Sequence, residues 1–580
     1  MKYLSTIVLF GLFLLSHPTS AQTNFLITNP LAEEILRGEF DPADYLPVDP
    51  ITAPQVIVTG IEQSVSADSL KAYLEVMASF RTRHTSSDTT STTEGMGAAR
   101  RWAFDKFESF SDRLIVSYFQ FEQLTCGMLS HRNIFAVLPG TGEHSEEIVL
   151  IEGHFDSRCG DNCDTECQAE GMEDNGSGSA LVMELARVMS QYTFDRTLMF
   201  MLTTGEEQGL LGADAVATLM AEDDLPLLAV YNNDVIGGII CGETASPPGC
   251  PGLNDIDSTN VRIYSAGNLN SRNKMLARFV KLEYEEMIAP VAEQVNVINI
   301  MSPEDRTGRG GDHIPFRRKG FPAIRFTSAN EHGNVDTGNP DYHDRQHTSE
   351  DILGVDTDGD EILDSFFVDF RYLARNAIIN GNAAAMTALG PEPAEDFDLN
   401  PIDGGFEVVI DDPNDYGIYR VGVRQFTTLD FDTIFTLNQA VDTIRGLTPD
   451  LIYVASVATV DENGVESLFI GERFSDFQSN LVEISRAQEK VRLLQNRPNP
   501  FDEATYFGVY VEEIPSYRKA SILVRDLQGR VLSELPIQLN LGLNEVLYNF
   551  ENHAYQPGVY TYTLILDGYP LVTKRMMYAY

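Results

Sequence analysis

The chain has 580 residues, of which 86 are acidic and 41 basic, so its formal net charge is −45. This length exceeds what one hydrophobic core normally serves, and we therefore expect several domains. Binding to nucleic acid needs clustered positive charge, so the acidic balance argues against a nucleic-acid partner. The surface charge favours solubility outside the cell, with attraction of cationic peptides as the alternative.

The amino terminus has the pattern of a cleaved export signal. Residues 1–21 contain one early positive charge, Lys2, a short apolar run over residues 7–15, and small residues at the end. This pattern is typical of a signal peptide and not of a membrane anchor. No later segment is apolar over a length that could span a bilayer, so we predict no transmembrane segment in the mature chain. Residues 22–65 are a predicted amino-terminal extension.

Four short apolar runs, residues 148–151, 197–202, 228–231 and 323–326, alternate with stretches of helical spacing. Leu181, Leu185 and Val188 lie on one face of a predicted helix, and a second helix is predicted within residues 99–110. Buried runs between helices indicate parallel strands with helices on both faces. We predict an α/β domain over residues 66–390 with a mostly parallel central sheet, whose binding sites would lie beyond the carboxyl ends of its strands.

Five segments near the ends of these runs supply metal-binding side chains: residues 153–156, 173–178, 204–207, 233–234 and 346–351. Zinc prefers imidazole nitrogen and carboxylate oxygen, and two neighbouring zinc ions need a bridging carboxylate. Each segment alone has an ordinary explanation, such as a turn or an acidic helix start. Together they predict the site of a two-metal hydrolase. In the adjacent acidic pair, Glu207 is the predicted ligand and Glu206 the proton carrier.

These segments resemble the twenty-eighth metallopeptidase family, of the aminopeptidase S and aminopeptidase Y type. The stretch Gly311–Phe316 resembles a further family segment, with Gly311 where the family usually has Ser. The resemblance implies a zinc exopeptidase of phosphorylase/hydrolase-like fold with two Zn²⁺ ions. It also implies the following roles: His154 and Asp234 at one zinc, Glu207 and His347 at the other, Asp174 as the bridge and Glu206 as general acid/base.

Three further residues belong to the predicted site. Asp156 could fix the tautomer of His154, and Asp351 is a predicted supporting carboxylate. Relatives often have Tyr directly before the last His, where this chain has Gln346, so Tyr342 is a candidate to support the transition state. The family pattern also favours His347 over His343 as the last ligand.

The six cysteines suit an exported chain. Cys241 and Cys250 bracket a loop rich in Pro and Gly and are the first candidate disulfide. The other four predict further disulfides among themselves, with a zinc knot as the less favoured alternative: Cys126, Cys159, Cys163 and Cys167. Six cysteines allow 15 connectivities, so the pairing stays open.

Alternating carboxylates at Asp356, Asp358 and Asp360, together with Asp364, are of the kind that binds Ca²⁺. The position of Gly359 excludes an EF-hand loop. The alternative is a solvated turn that opens a helix from Ile362.

The last third of the chain predicts two small all-β sandwich domains, because apolar and polar residues alternate there between turn signals. Residues 391–480 resemble a fibronectin type III domain, on the phrases at 446–450 and 461–467. Residues 491–580 resemble the carboxy-terminal sorting domain of type nine secretion, on the phrases at 495–501, 526–531 and 557–560. That resemblance implies outer-membrane secretion machinery as a partner and a secreted or cell-surface location.

The sequence therefore predicts a secreted zinc aminopeptidase that removes residues from the free amino terminus of peptides or proteins. One alternative is an enzyme like glutaminyl cyclase, which by family resemblance shares the fold and most ligands but uses one zinc ion. The other is a non-catalytic surface adhesion module carried by the β domains.

Overall fold

The computed structural model describes residues 22–241, 255–267, 270–301, 304–305, 309–329, 345–474 and 490–579, except for 361, 403, 427, 449–450, 515–518, 527–529, 550–557 and 567–568. The predicted export signal lies outside these residues. Within them, every helix is too short or too polar to cross a membrane.

A nine-stranded sheet organises the first part of the chain, in the strand order β1-β2-β3-β5-β4-β6-β9-β7-β8. Its strands are β1 Thr23–Ile27, β2 Ile115–Thr125, β3 Met128–Leu138, β4 Ile148–His154, β5 Thr197–Thr203, β6 Leu227–Asn233, β7 Asn260–Ser265, β8 Val297–Ile300 and β9 Ala323–Ser328. The four predicted apolar runs are the bodies of β4, β5, β6 and β9. Every residue of β4 and β5 is buried, as expected for central strands covered on both faces.

Helices cover the sheet: α1 Pro30–Leu36, α2 Pro54–Ser64, α3 Ala67–Ala78, α4 Gly95–Phe110, α5 Gly178–Met189, α6 Leu211–Glu222, α7 Arg272–Glu283, α8 His313–Arg318 and α9 Phe370–Leu389. A 3₁₀ turn spans Pro42–Tyr45, and π-helical turns span Met172–Ser177 and Tyr284–Ile288. Two separate hydrophobic clusters pack on the sheet. One includes Leu181 of α5, and the other includes Val216 of α6.

The predicted mostly parallel sheet is wrong for the sheet as a whole, which is mixed. Among the described strands, β4–β5, β4–β6, β6–β9 and β7–β8 pair in parallel, whereas the other four neighbouring pairs are antiparallel. For one of these antiparallel pairs the reason is local: β2 and β3 are joined by a two-residue turn at Cys126 and Gly127, with positive φ at both residues. A turn this short can join only antiparallel strands.

The parallel centre of the sheet determines where a site can form. Strands β5, β4, β6 and β9 are neighbours in that order and run in one direction. Their carboxyl ends, near Thr203, His154, Asn233 and Ser328, therefore meet at one edge of the sheet. Helix α5 packs against β4 and β5, and near its amino end the hydroxyl of Ser179 donates to the main-chain oxygen of His154 (2.7 Å) at that edge.

The segment after the Asp356 loop does not form the predicted helix from Ile362. A short antiparallel pair, β10 Gly354–Val355 and β11 Ser365–Phe366, closes the loop instead. Helix α9 begins later, at Phe370, because the side chain of Asp369 accepts a hydrogen bond from the backbone N–H of Tyr372 (2.7 Å) and caps the helix.

Two antiparallel sheets follow α9. The first contains β12 Asp396–Ile402, β13 Gly405–Asp411 and β16 Val441–Arg445; the second contains β14 Tyr419–Gln425, β15 Thr433–Leu437, β17 Tyr453–Thr459 and β18 Arg473–Phe474. Phe406, Val421 and Val457 from both sheets share one core, which makes this unit sandwich-like. It also contacts the first part of the chain, where Arg278 of α7 and Glu472 form a buried ion pair of 3.0 Å.

A second sandwich-like unit ends the described chain. Its sheets are β19 Val491–Leu493, β20 Ala504–Val511 and β23 Gly542–Asn549 against β21 Ala520–Arg525, β22 Val531–Pro536, β24 Gly558–Leu566 and β25 Tyr569–Tyr578. Phe507, Ile522 and Tyr562 lie in its common core. The likeness of the two units to a fibronectin type III domain and to a secretion sorting domain stays a prediction.

Candidate metal centre

Two groups of possible metal ligands lie side by side at the carboxyl edge of the parallel strands and share one aspartate. In the first group, His154 Nε2 lies 3.1 Å from Asp174 Oδ1 and 3.5 Å from Asp234 Oδ1. In the second, His347 Nε2 lies 3.1 Å from Asp174 Oδ2 and 3.2 Å from Glu207 Oε2. The two oxygens of Asp174 therefore face different histidines, which is the arrangement that a bridging carboxylate requires.

The fold places each of these side chains at the end of a central strand or in a connection that follows one. His154 is the last residue of β4, Asp234 directly follows β6, and Glu207 lies in the turn after β5. Asp174 lies in the π-helical turn that leads into α5. His347 comes from the segment between β9 and β10 and has a positive φ of 58°. The structure thus brings together all five ligands predicted from the sequence.

Asp156 supports the site in two ways, through its backbone and its side chain. Its main-chain oxygen lies 3.1 Å from His154 Nδ1, closer than its carboxylate at 3.7 Å, so the carbonyl can accept the Nδ1 proton and leave Nε2 for a metal. Its carboxylate oxygens accept the backbone N–H groups of Glu206 (3.3 Å) and Glu207 (3.2 Å). Asp156 therefore positions one ligand and the turn that holds another.

Asp351 positions the shared aspartate. Its two carboxylate oxygens accept the backbone N–H groups of Glu173 (2.9 Å) and Asp174 (3.0 Å). The side chain of Asn175 continues this anchoring, because it donates to Asn233 O (2.8 Å) and accepts from Gly178 N (3.0 Å). The turn that carries Asp174 is thus fixed to β6 and to the start of α5.

The donor set fits zinc ions. His154 Nε2 and Glu207 Oε1 are buried and make no hydrogen bond to any described residue, although carboxylate oxygens surround them. Buried polar atoms normally have partners, so orphaned ligand atoms at such a point fit the binding of an ion. One imidazole nitrogen and carboxylate oxygens in each group are ligands of the type that zinc prefers.

Comparison with known proteins identifies the family. The model of peptidase family M28 matches residues 133–243. The LapA aminopeptidase of Legionella pneumophila is a solved structure that is 19% identical, with a TM-score of 0.41 over 58% of this chain and 74% of that chain. A probable zinc metalloprotease of Leptosphaeria maculans is 30% identical over 344 residues, which are 57% of this chain and 75% of that protein. The chain belongs to peptidase family M28.

A second relative of this M28 peptidase supports the same assignment. A probable zinc metalloprotease of Pyrenophora tritici-repentis is 29% identical over 359 residues, which are 59% of this chain and 78% of that protein. The predicted enzyme class is confirmed at this level: the chain is a metallopeptidase, a hydrolase of peptide bonds. The alternative of a non-catalytic adhesion module does not fit family membership.

Glu206, the predicted general acid/base of this M28 peptidase, lines a cavity beside the ligands. The cavity has a volume of about 410 Å³, and Asp174, Glu207, Asp234 and His347 line it as well. Glu206 is half-buried, and it is not a member of either group of ligands. Burial raises the pKa of its carboxyl well above the ordinary value, although His154 opposes the shift. A carboxyl of raised pKa can both accept and return a proton near neutral pH.

The electrostatics of the ligands favour a cation. Burial lowers the pKa of His154, but the carboxylates of Glu206, Asp174 and Asp234 reverse this effect and raise the pKa well above its ordinary value. Burial raises the pKa of Asp174, but the imidazoles of His154 and His347 hold it well below its ordinary value. Both shifts come from the close pairing of imidazoles with carboxylates, and the three carboxylates of the two groups outnumber the two imidazoles, which favours a bound cation.

Sequence reasoning missed Arg325 and Asp305, which hold one ligand in place. Arg325 Nη2 lies 3.1 Å from Asp234 Oδ2, and its Nη1 lies 2.8 Å from Asp305 Oδ2. All three side chains are almost fully buried. The available signal was a charged residue inside an otherwise apolar strand, Ala323–Phe326, because a buried guanidinium requires a carboxylate partner.

A further buried carboxyl, Asp312, lies close enough to His154 and Asp234 to interact with their charges. It accepts a hydrogen bond from the hydroxyl of Thr203, at the end of β5. Burial raises the pKa of Asp312 to about 7, an effect that His154 opposes. The segment singled out at Gly311–Phe316 is therefore adjacent to the ligands, although it supplies none of them.

Two predictions near the last ligand depend on residues outside the described ones. Tyr342 lies outside the described residues, so its proposed role stays a prediction, and so does the comparison of His347 with His343. Gln346 is described and nearly buried, and its Oε1 accepts a hydrogen bond from Arg309 Nη2 (2.6 Å). The position that relatives often fill with Tyr therefore carries an amide bound to a guanidinium in this chain.

The cysteines form disulfides, as predicted for four of them. Cys126 pairs with Cys163, and Cys159 pairs with Cys167, which excludes a zinc knot at these residues. Cys241 is also disulfide-bonded. Its predicted partner, Cys250, lies outside the described residues, so that pair stays a prediction.

The acidic loop around Asp356 offers a further group of carboxylates. Oxygens of Asp356, Asp358 and Asp360 lie within 4.8 Å of one another. Asp364 accepts a hydrogen bond from the backbone N–H of Thr357 (3.0 Å) and shapes the loop. The last two members of the group are exposed, and this grouping alone does not establish a calcium site.

Proposed function

We propose that this M28 peptidase is a secreted aminopeptidase that uses two zinc ions to hydrolyse the first peptide bond of substrates with a free amino terminus. One observation carries the proposal: Asp174 offers its two oxygens to two separate groups of ligands, with Glu206 in the same cavity. The relatives named as probable zinc metalloproteases support zinc as the metal.

The residues divide the work as follows. His154 and Asp234 would hold one zinc, Glu207 and His347 the other, and Asp174 both. Bound zinc ions would supply a water of lowered pKa and a polarised substrate carbonyl.

Glu206 takes a proton from the attacking water and passes it to the leaving amine, so that the peptide bond is replaced by a carboxylate and a free amino group. Asp156 keeps Glu206 in reach by binding its backbone N–H.

Metal counting with a substrate panel tests the proposal. We expect two zinc ions per chain and release of the arylamine from aminoacyl arylamides, with loss of both after chelation and recovery on adding zinc. Blocking the free amine by acetylation should abolish cleavage, because an aminopeptidase requires an unblocked terminus.

One zinc per chain, together with cyclisation of peptides that begin with Gln, would instead identify an enzyme like glutaminyl cyclase. Cleavage of acetylated peptides at internal bonds would identify an endopeptidase. Absence of zinc from an active chain would contradict the ligand assignment itself.

We also propose that the Asp356 loop binds a calcium ion with a structural role. Its support is the cluster of three carboxylates. The test is elemental analysis of the protein after dialysis against millimolar calcium, and a calcium content no higher than that of the dialysis buffer would exclude the ion.

We further propose export of the chain to the cell surface or medium, with residues 491–580 as the signal for the outer-membrane secretion machinery. The disulfides Cys126–Cys163 and Cys159–Cys167 support an oxidising compartment. We expect the mature protein in the medium or on the surface, lacking residues 1–21. Recovery of the intact chain only from the cytoplasm, by mass spectrometry of cell fractions, would contradict export.

A further inference from the structure

The loop of residues 157–170, here called the wall loop, joins two of the predicted zinc ligands and forms part of the cavity wall. Its residues Arg158 and Asn162 line the cavity. At its base, the hydroxyl of Ser157 donates a hydrogen bond to the main-chain oxygen of Ala169 (2.7 Å). A substrate that enters the cavity therefore meets this loop.

The wall loop has no hydrophobic core of its own. Residues 158–168 consist of three cysteines, one glycine and otherwise polar or charged residues. All of them are exposed or half-buried. A segment of this composition buries too little apolar surface to offset the entropy that it loses in a single conformation. Segments without a sufficient core are commonly held by disulfides.

Two disulfides cross-link the wall loop. Cys159–Cys167 closes a ring within it, and Cys126–Cys163 ties its middle to the turn between β2 and β3. A covalent bond between distant residues removes many of the conformations that an open loop can adopt. Because Cys163 directly follows Asn162, the second bond limits the position of a residue that lines the cavity.

Hydrogen bonds act at the same point of the wall loop. The main-chain oxygen of Asn162 lies 2.9 Å from His84 Nε2 and 3.5 Å from Gln208 Nε2. His84 Nδ1 accepts the backbone N–H of Ser86 (3.1 Å), so in the neutral ring Nε2 carries the proton that Asn162 accepts. Asn162 is exposed, and hydrogen bonds that compete with water each contribute little net stability. These bonds favour one position of the loop, and the disulfides exclude most of the others.

The metal ligands on either side of the wall loop have anchors outside it. His154 Nδ1 lies 3.1 Å from the main-chain oxygen of Asp156, and the backbone N–H of Asp174 donates to Asp351 (3.0 Å). Arg158, which contacts two further ligands, lies at the base of the loop, where the hydrogen bond described above acts without either disulfide. Opening the disulfides should therefore change the wall and leave the metal centre in place.

We infer that the wall loop is a substrate-binding wall whose conformation depends on its two disulfides, so that the peptidase binds substrate well when oxidised and poorly when reduced. This inference rests on the proposed aminopeptidase function. Each bond forms by exchange with a disulfide oxidant: two thiols lose two protons and two electrons, and the oxidant is reduced to two thiols. In a reducing compartment the thiols stay open, and full affinity for substrate arises after export.

Two double substitutions test the bonds separately: Cys126→Ser with Cys163→Ser, and Cys159→Ser with Cys167→Ser. Substitution is more specific than reduction, because Cys241 is also disulfide-bonded. We expect KM for aminoacyl arylamides to rise about tenfold, as for a wall that is formed in about a tenth of the molecules. The kcat and the zinc content should stay near the wild-type values. A general loss of folded protein would instead lower the apparent kcat and leave KM unchanged.

Glu166→Gln is the matched control. Glu166 is an exposed residue of the same loop, and it is not among the described residues that line the cavity. This variant should retain the wild-type KM.

A second measurement uses the wild-type chain and does not depend on the folding of a variant. A phosphine reductant opens the disulfides, because each disulfide reacts with the phosphine and water to give two thiols and the phosphine oxide. Oxidised glutathione then closes them again. We expect KM to rise on reduction and to return on reoxidation. Mass spectrometry of alkylated peptides identifies the cysteines that were open.

The outcomes are distinct. A wild-type KM in both double variants would overturn the inference and leave the aminopeptidase intact, and so would lower thermal stability with an unchanged KM. Loss of zinc in either variant would also overturn it, because the loop would then hold the ligands and not the substrate. If the oxidised, zinc-loaded wild type cleaved no unblocked substrate, the proposed function would fail, and the inference with it.

Discussion

Glu206→Gln is expected to lower kcat by about 10²–10⁴-fold, the range that a well-placed general acid/base contributes. The amide has the size of the carboxyl but cannot take a proton from water or return one to the leaving amine. Glu206 belongs to neither group of ligands, so the zinc content should not change. Hydrolysis of an aminoacyl arylamide and elemental analysis of the same sample give the two readings.

Glu222→Gln is the matched control for this substitution, because Glu222 is exposed at the end of α6. It should leave kcat and zinc content as in the wild type. Glu206→Gln with more than about a tenth of wild-type kcat would contradict the assigned role, since general acid/base catalysis contributes more than that. Loss of zinc in the same variant would show instead that Glu206 is a ligand.

The central strands of the fold could be predicted because burial on both faces leaves a simple signal. The apolar runs at 148–151 and 197–202 are the bodies of β4 and β5, and both are fully buried. The antiparallel edge was missed: β2 is only partly buried along its length, and it is joined to β3 by a turn at Cys126 and Gly127. Cys126 at positive φ is not a typical turn residue, so local sequence did not indicate the hairpin.

In the candidate site, the metal ligands could be predicted from the sequence, whereas the residues that position them could not. Metal chemistry restricts the residue types that can be ligands, and each of the five predicted ligands lies within a recognisable segment. The groups that hold them act through backbone contacts or across long sequence distances, as Asp351 does on Asp174. Arg158 and Arg309 lie 151 residues apart in sequence yet converge on His347, with separations of 189 and 38 residues from it. Contacts across such sequence distances become visible only in the folded structure.

Asp174→Asn should affect both metal positions, because Asp174 is the residue that the two groups share. An amide offers one neutral oxygen in place of two charged ones, and it can no longer bridge. We expect zinc to fall well below two ions per chain, and activity to fall on the order of 10³-fold because several kcal/mol of charge stabilisation is lost. Zinc titration by calorimetry and the arylamide assay measure the two effects.

Single-group variants make the comparison specific. Asp234→Asn changes the group of His154 alone, and Glu207→Gln changes the group of His347 alone, so each should retain one zinc ion per chain. Asp68→Asn, at an exposed position in the first turn of α3, controls for loss of charge and should retain two. If Asp174→Asn bound two zinc ions as tightly as the wild type, Asp174 would not be the bridge. The centre would then be two independent sites, and the shared-water chemistry proposed for it would have no structural basis.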